Sequence, residues 1–397
     1  MLTSEAPPPL PGSRLLFSLD AAIAHLDHGS FGATPLTVQR AQRRMRDEME
    51  ANPAGFFDRG LPERLAHTRR HLSSFVGADP DSCAFVANAG VAVALVLRSM
   101  ALDEGDDIVT TDHGHPAVAA AVARACAATG ARHQVATVSL AGDGPDVVTA
   151  VRSVLTARTR LVIVDHVTPT SARVFPVADL TRAVHQAGPA VLVDASHVPG
   201  ALTANARETG ADFWVGDLHT WAFAPRPTAL LAVTWAWRER LWPQPTPERR
   251  DSGYPDVVEP RGTIDYTSWL AAPAGLFALR SLGLETVWAH NRALAEYGQQ
   301  VVGRALGLDR SQLPSSGGPS ELPMRIIPLP EGIAATPVAA RTLRHRIAED
   351  LRTETAISVW RGRAVLRLSA QVYNRAEEYE RLAAGLPDLL GAAHGQR

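Results

Sequence analysis

Short apolar runs alternate with amphipathic stretches along most of this chain. Val38, Met45 and Met49 recur among Arg and Glu, which predicts a helix over about 36–50, and a second follows over about 61–76. Cys83–Ala87 reads as a strand and Val91–Met100 as an apolar helix. Asp107–Thr111 is a strand, followed by an alanine-rich helix over about 116–129. Leu161–Val164 and Ala190–Val193 are unbroken apolar runs, the mark of strands buried on both faces. A helix over about 177–187 separates them, and Phe213–Val215 and Thr228–Val233 add two short strands. Residues 241–262 have no clear period and read as a long excursion, and 307–321 as a Gly/Ser/Pro-rich linker. Helices over about 268–282 and 284–306 flank that linker's N-terminal side. The tail mixes strands at Met324–Pro328, Ile357–Arg361 and Ala364–Ser369 with helices over about 338–352 and 375–389.

This βαβ rhythm predicts an α/β protein with a mostly parallel sheet covered by helices. The expected division is a large α/β domain over 36–270 and a smaller α+β domain over 271–397. Residues 1–13 are Pro-rich and read as a disordered tail; 14–35 read as an N-terminal segment packing with the small domain. The 397 residues are 46% hydrophobic and 20% charged, enough for a large core. A net charge of −2 leaves no electrostatic footprint for nucleic acid. No apolar run reaches the roughly 18 residues of a membrane span, and the first residues lack a signal-peptide pattern. With only Cys83 and Cys126, a cytoplasmic location is the expectation.

One count changes the picture. All 39 basic residues are arginine; the chain has no lysine. Codon bias toward arginine explains that blandly, but no side chain here can form a Schiff base with a carbonyl. Polar residues also gather where ligands bind in open α/β sheets, at the strand ends. Asn88 follows the first strand, and Asp112, His113 and His115 the second. Asp165, His166 and Thr168 follow the third, Asp194, Ser196 and His197 the fourth, and Asp217 and His219 the fifth. Any one of these is an ordinary helix cap; five in succession point to a shared pocket.

These positions carry a resemblance. From about 25 to 390 the chain is similar to the class V aminotransferase group of fold type I pyridoxal phosphate (PLP) enzymes, above all its isopenicillin N epimerase-like branch, with cysteine desulfurases more distant. Leu26-Asp27-His28-Gly29-Ser30-Phe31-Gly32 resembles that branch's Asn-His-Gly-Ser-Phe-Gly, and His166-Val167-Thr168 its His-Val-Thr. Val193-Asp194-Ala195-Ser196-His197-Val198-Pro199-Gly200 resembles Val-Asp-Gly-Ala-His-Ala-Pro-Gly. Gly262-Thr263-Ile264-Asp265 resembles Gly-Thr-x-Asp, and Arg367-Leu368-Ser369 with Tyr373-Asn374 resembles the C-terminal Arg-x-Ser and Tyr-Asn.

The resemblance implies a PLP-transferase fold and a set of roles. Asp194 would face the pyridine nitrogen, His115 stack on the ring, and His197 lie near the phenolic oxygen. Asn88, Ala89, Gly90 and Asp217 would border the phosphate, with Thr263 reaching it across a homodimer interface. Thr168 would also line the cofactor pocket. Arg367 would grip a substrate carboxylate, with His28 and Ser30 beside it.

Gly216-Asp217-Leu218-His219-Thr220-Trp221 resembles the family's Gly-Asn-Leu-His-Lys-Trp, so Thr220 stands where relatives carry the cofactor as an internal aldimine. Its hydroxyl cannot form an imine. Neighbours depart too. Asp217 replaces an Asn or Ser, Gly90 a threonine, and Pro227 a glycine. A carboxylate beside a phosphate is repulsive by roughly 4 kcal/mol per charge pair at about 4 Å and an effective dielectric of 20. Departures clustered on the phosphate side favour natural divergence over an engineered exchange of one lysine.

The reading that follows is a diverged enzyme of this fold, with no covalent cofactor and weak support for PLP. It would act on an amino-acid-like, carboxylate-bearing small molecule, as in specialised natural-product biosynthesis. His219, His197 and His115 would serve as acids and bases with Asp194. Alternatives are noncovalent PLP use, a non-catalytic pseudoenzyme, and a metal site at His113-Gly114-His115; that spacing is weak, and no metal is assigned.

Overall fold

The computed structural model describes residues 5–140, 144–242, 253–259, 262–315 and 322–394. Residues 1–4, most of the 241–262 excursion and 316–321 of the linker lie outside the described residues. In chain order the elements are β1 (Ala24–His25), α1 (His28–Phe31), α2 (Leu36–Ala51), α3 (Leu61–Phe75), β2 (Cys83–Val86), α4 (Ala89–Ser99), β3 (Asp107–Thr111), α5 (Pro116–Thr129) and β4 (Arg132–Ala136). They continue with α6 (Gly144–Val154), β5 (Thr159–Asp165), α7 (Val177–His185), β6 (Ala190–Asp194), β7 (Phe213–Asp217), β8 (Ala229–Val233), α8 (Trp235–Arg238), α9 (Thr267–Leu282) and α10 (Leu284–Ala305). The last are β9 (Met324–Pro328), α11 (Pro337–Leu351), β10 (Thr353–Glu354), β11 (Ala356–Trp360), β12 (Arg363–Ser369) and α12 (Ala376–His394).

Seven strands form the main sheet in the order β2-β8-β7-β6-β5-β3-β4. The pairs from β7 through β4 are parallel, while β8 runs antiparallel to both β7 and β2. β6 and β8 are buried at every residue, as a sheet covered on both faces requires. One face packs against α3, α6, α7 and α9 and the other against α4 and α5. The smaller unit holds the antiparallel sheet β11-β12-β9, packed with α10, α11 and α12. Among the described residues no helix is long and apolar enough to cross a membrane.

The N-terminal segment is tied to this smaller unit. β1 pairs with β10, Arg14 forms an ion pair with Glu378 at 3.0 Å, and the Ser13 hydroxyl donates to the Val372 carbonyl. The expected disordered tail is therefore shorter than 1–13, because Leu10 packs on the Phe17 and Phe223 cluster and Ser13 is buried. The expected division at 270/271 falls inside α9, which packs on α2 and α3; contacts pass to β9 and α12 in α10, after Gly283. The sequence pattern assigns nothing over 130–158, where β4 and α6 lie. β4 is an edge strand with a largely polar, half-exposed sequence, so its alternation carries no apolar signal.

Candidate active site

The parallel strands deliver their C-terminal ends to one edge of the sheet. Register pairs Asp165 at the end of β5 with Asp194 at the end of β6, and Asp217 ends β7 beside them. Three carboxyl groups therefore share one low-dielectric corner. Burial pushes Asp165 and Asp217 well above the usual carboxylate range, and each is raised further by Asp194. Asp194 is itself raised by burial, and only partly offset by the Ser196 hydroxyl and N–H, which both donate to its Oδ1.

His115 sits at the head of α5, where Pro116 follows it and its Nδ1 accepts the Ala117 N–H at 3.1 Å. That bond puts the ring proton on Nε2. Burial lowers its pKa, while Asp194 raises and Arg367 lowers it, so the ring lies within electrostatic reach of both. Thr111, Gly114, His115, Asp165 and Asp194 line a cavity of about 10 Å³, space for about one water. The Thr111 hydroxyl is buried without a hydrogen-bond partner. A larger cavity, about 380 Å³, opens between Phe17, Ala33, Gln42 and Arg226, and none of the expected catalytic residues lines it.

His219 lies at the turn after β7. Its Nδ1 donates to the Thr228 carbonyl at 2.9 Å, and its Nε2 is 3.6 Å from Asp217 Oδ2. Burial lowers its pKa. His197 is pushed down to about 3 by burial and by Arg367, His115 and His219, and its Nδ1 is buried without a partner. His166 is lowered to about 4 by burial. The turn that follows is tightly clamped. A Cβ on Gly32 (φ 70°) would meet His219 O at 2.5 Å, and one on Gly200 (φ 94°) would meet the Trp221 carbonyl carbon at 2.4 Å. Only glycine permits these two backbones to approach the turn.

Several expected site residues are spent inside the protein. Asn88 caps α4, its Oδ1 accepting the Val91 N–H at 3.0 Å. The Ala89 N–H, the first of that helix, donates to Asp217 Oδ1 at 3.0 Å. Gly90 is exposed and Thr263 lies on an exposed stretch. Thr168 is fully buried, and its hydroxyl bonds Ser171 and accepts the Arg173 N–H, closing the 168–173 turn. His113 likewise turns away from His115, its ring held by Ser171 at 2.5 Å and the Val138 carbonyl at 3.0 Å. Among the described residues no group of three or more His, Cys, Asp or Glu side chains is arranged to hold a metal ion.

His28, expected beside the substrate, has both ring nitrogens committed: Nδ1 accepts from the Tyr373 hydroxyl at 2.9 Å and Nε2 donates to the Thr220 carbonyl at 3.0 Å. Burial lowers its pKa to about 3. Arg367, expected to grip a carboxylate, is held by Asp27 at 3.1 Å, Ser30 at 2.6 Å and the Pro169 carbonyl at 2.8 Å. Asp27 and Thr111 are site residues that strand-end reasoning did not select. The signal for Asp27 is its place in a signature that otherwise carries Asn.

PLP needs a proton-holding carboxylate at its pyridine nitrogen and backbone N–H donors at its phosphate. Asp194 with His115 suits the first requirement. The second is not met: the Ala89 N–H at the α4 N-terminus already carries Asp217, and Asn88 caps the next turn. The residues present do not fit the phosphate end of the cofactor.

Comparison with known proteins places this architecture. The isopenicillin N epimerase of Amycolatopsis lactamdurans is 31% identical over 398 residues, covering 94% of this chain and 96% of that protein. That of Streptomyces clavuligerus is 28% identical, with coverages of 94% and 96%. An L-cysteine desulfhydrase of Arabidopsis thaliana is 27% identical, covering 93% and 88%. Among solved structures, a cysteine desulfurase from Thermococcus onnurineus NA1 superposes with a TM-score of 0.77 at 19% identity, covering 98% of this chain and all of that one. A C-DES variant with glycine covalently linked to its PLP cofactor gives 0.75 at 19% identity, with 95% and 99% covered. Membership of this family gives the cofactor more support than the sequence departures alone. The aminotransferase class-V family model matches residues 32–314, and the chain belongs to that family.

Proposed function

We propose that this protein is an enzyme that moves protons on a small, amino-acid-like, amine-bearing molecule without a covalently held cofactor. The observation that carries this reading is the Asp217 carboxyl seated on the first N–H of α4, in a chain that contains no lysine. Both handles by which the family fixes PLP, the phosphate seat and the amine, are then missing.

The chain's own groups support acid–base work. Asp194 keeps one oxygen on Ser196, and its upward-shifted pKa suits a group that takes and returns a proton. His115, with its proton on Nε2, faces the same small cavity and supplies the complementary acid. His219 and Asp217 form a second pair: at 3.6 Å they are too far apart for a hydrogen bond and close up only with a small shift. His197, kept neutral by its depressed pKa, adds an unpartnered nitrogen within electrostatic reach of both rings. The relatives include two isopenicillin N epimerases, and a role in specialised biosynthesis is part of this reading. So is a homodimer, supported by the exposure of Thr263 and of Ile264, which is 40% exposed; light scattering showing a monomer at micromolar concentration would count against it.

A second reading is favoured by the Asp194–His115 end, which suits a pyridine ring: PLP or its amine form held noncovalently. One spectrum separates the two. Purified protein supplied with PLP and then dialysed is expected to keep no visible cofactor band; a stoichiometric band that survives dialysis overturns the cofactor-free reading.

A further inference from the structure

The cavity of about 380 Å³ beside Ala33 and Arg226 has the size that takes a small organic molecule. No residue of the acid–base reading lines it. Phe17, Leu19, Ala33 and Pro225 give it an apolar wall. Among the described residues no aspartate or glutamate lines it, so the Arg226 guanidinium is the one charge on that wall. Arg226 is oriented by its own chain: Nη1 donates to the Phe31 carbonyl at 3.0 Å and to the Gly32 carbonyl at 2.9 Å. Its Nη2 and Nε donate to nothing among the described residues. A guanidinium edge of this kind holds a carboxylate by two parallel N–H bonds.

Two glutamines on the same wall ask for a donor. Gln39 Nε2 donates to Ser18 Oγ at 3.1 Å and to the Thr34 carbonyl at 2.8 Å, and Gln42 Nε2 to Thr267 Oγ1 at 3.4 Å. Their amide oxygens are left as acceptors. A hydroxyl suits them better than an ammonium, because no carboxylate is present to balance a second cation beside Arg226. The cavity also adjoins the turn that carries His219. A Cβ on Gly32, one of the two residues whose carbonyls Arg226 holds, would meet the Thr220 Cα at 2.9 Å. The pKa of His219, lowered first by burial, is lowered further by the Arg226 charge.

We propose that this cavity is a second ligand site, outside the catalytic cleft, for a small hydroxy carboxylic acid with an apolar body, and that Arg226 is its anchor. The carboxylate lies on the free edge of Arg226, the hydroxyl donates to Gln39 or Gln42, and the hydrocarbon packs on Phe17 and Leu19. The proposal stands apart from the acid–base reading, and its test needs no turnover.

The test is ligand-observed NMR on the full-length protein, with leucic acid (the hydroxy acid analogue of leucine), its primary amide and leucine itself as probes. Leucic acid is expected to bind at least about tenfold more tightly than the amide and about threefold more tightly than leucine. Equal or tighter binding of the amide or of leucine overturns the proposal, and so does failure of leucic acid to bind, as when a second copy of the chain covers the cavity. Arg226→Gln is expected to weaken leucic acid at least about tenfold. Should Arg226→Gln not fold, Ser18→Trp, which fills the cavity mouth and leaves the arginine in place, is expected to abolish binding. Binding that survives these substitutions lies elsewhere and overturns the assignment. Hydrogen exchange locates the probe: slowed exchange over 33–42 and 225–226 is expected, and slowing over 363–369 instead puts the acid in the cleft and overturns the second site.

Discussion

The two ends of the cleft are built on opposite principles. At the β7–α4 end, polar groups are satisfied by the chain itself: Asp217 takes the Ala89 N–H, Asn88 takes the Val91 N–H, and Thr228 holds His219. Arg367, farther along the cleft, is held by Asp27 and Ser30, although its Nε and Asp27 Oδ2 are buried without a partner. At the β5–β6 end, Thr111 has no hydrogen-bond partner, Asp165 and Asp194 repel each other, and a small cavity remains. An unsatisfied polar group is costly to the fold. Its retention beside the small cavity marks a place where a ligand is to be met.

This contrast predicts different responses to substitution. The largest concerns the buried arginine. Arg367→Met leaves Asp27 buried and unpaired, and should cost about 3–5 kcal/mol in urea unfolding; a loss below about 1 kcal/mol would show that the pair is not a buried unit. His28→Ala removes two ring hydrogen bonds and a packed ring at the Thr220 turn. It should cost about 3 kcal/mol by the same measurement. At the open end the sign reverses. Thr111→Val exchanges an unpartnered hydroxyl for a methyl group and should stabilise the protein by about 1 kcal/mol, while impairing ligand binding. Destabilisation would mean that Thr111 already has a partner in solution.

The smallest effect is a pH dependence. The folded chain holds the Asp217 proton to higher pH than the unfolded chain does, because the group is buried beside Asp194. Stability is therefore lost as pH rises through that elevated pKa. Asp217→Asn keeps an acceptor for Ala89 and removes the charge. It should raise the Tm by a few degrees at pH 8 and by less at pH 5; a larger gain at pH 5 would reverse the sign of the argument.

Much of this was legible in the chain. The apolar runs of β5 and β6 located the sheet, and the residues after them located its ligand edge, because strand ends are a local property. Asn88 was readable as a cap for the same reason. What stayed hidden depends on distant pairing. Asp27 and Arg367 are 340 residues apart, so no spacing rule joins them, and only the fold shows that the arginine has a carboxylate partner within the chain. His28 and Tyr373 are joined across 345 residues. Thr111 ends a strand that also carries Asp107 and Thr110, and only the packed sheet reveals that its hydroxyl lacks a partner. The missing lysine was the strongest sequence signal. The structure adds that Asp217 takes the Ala89 N–H, at the helix end where the resemblance puts the phosphate.

On the proposed reading, the chain's own Asp217 carboxyl occupies the phosphate seat. The most direct measurement compares the affinities of pyridoxal 5′-phosphate and unphosphorylated pyridoxal for the wild-type protein and Asp217→Asn by equilibrium dialysis. A sealed seat predicts affinities within about threefold of each other in the wild type, and a preference for the phosphorylated form in Asp217→Asn. A wild-type preference for the phosphate ester of more than about tenfold would contradict the account.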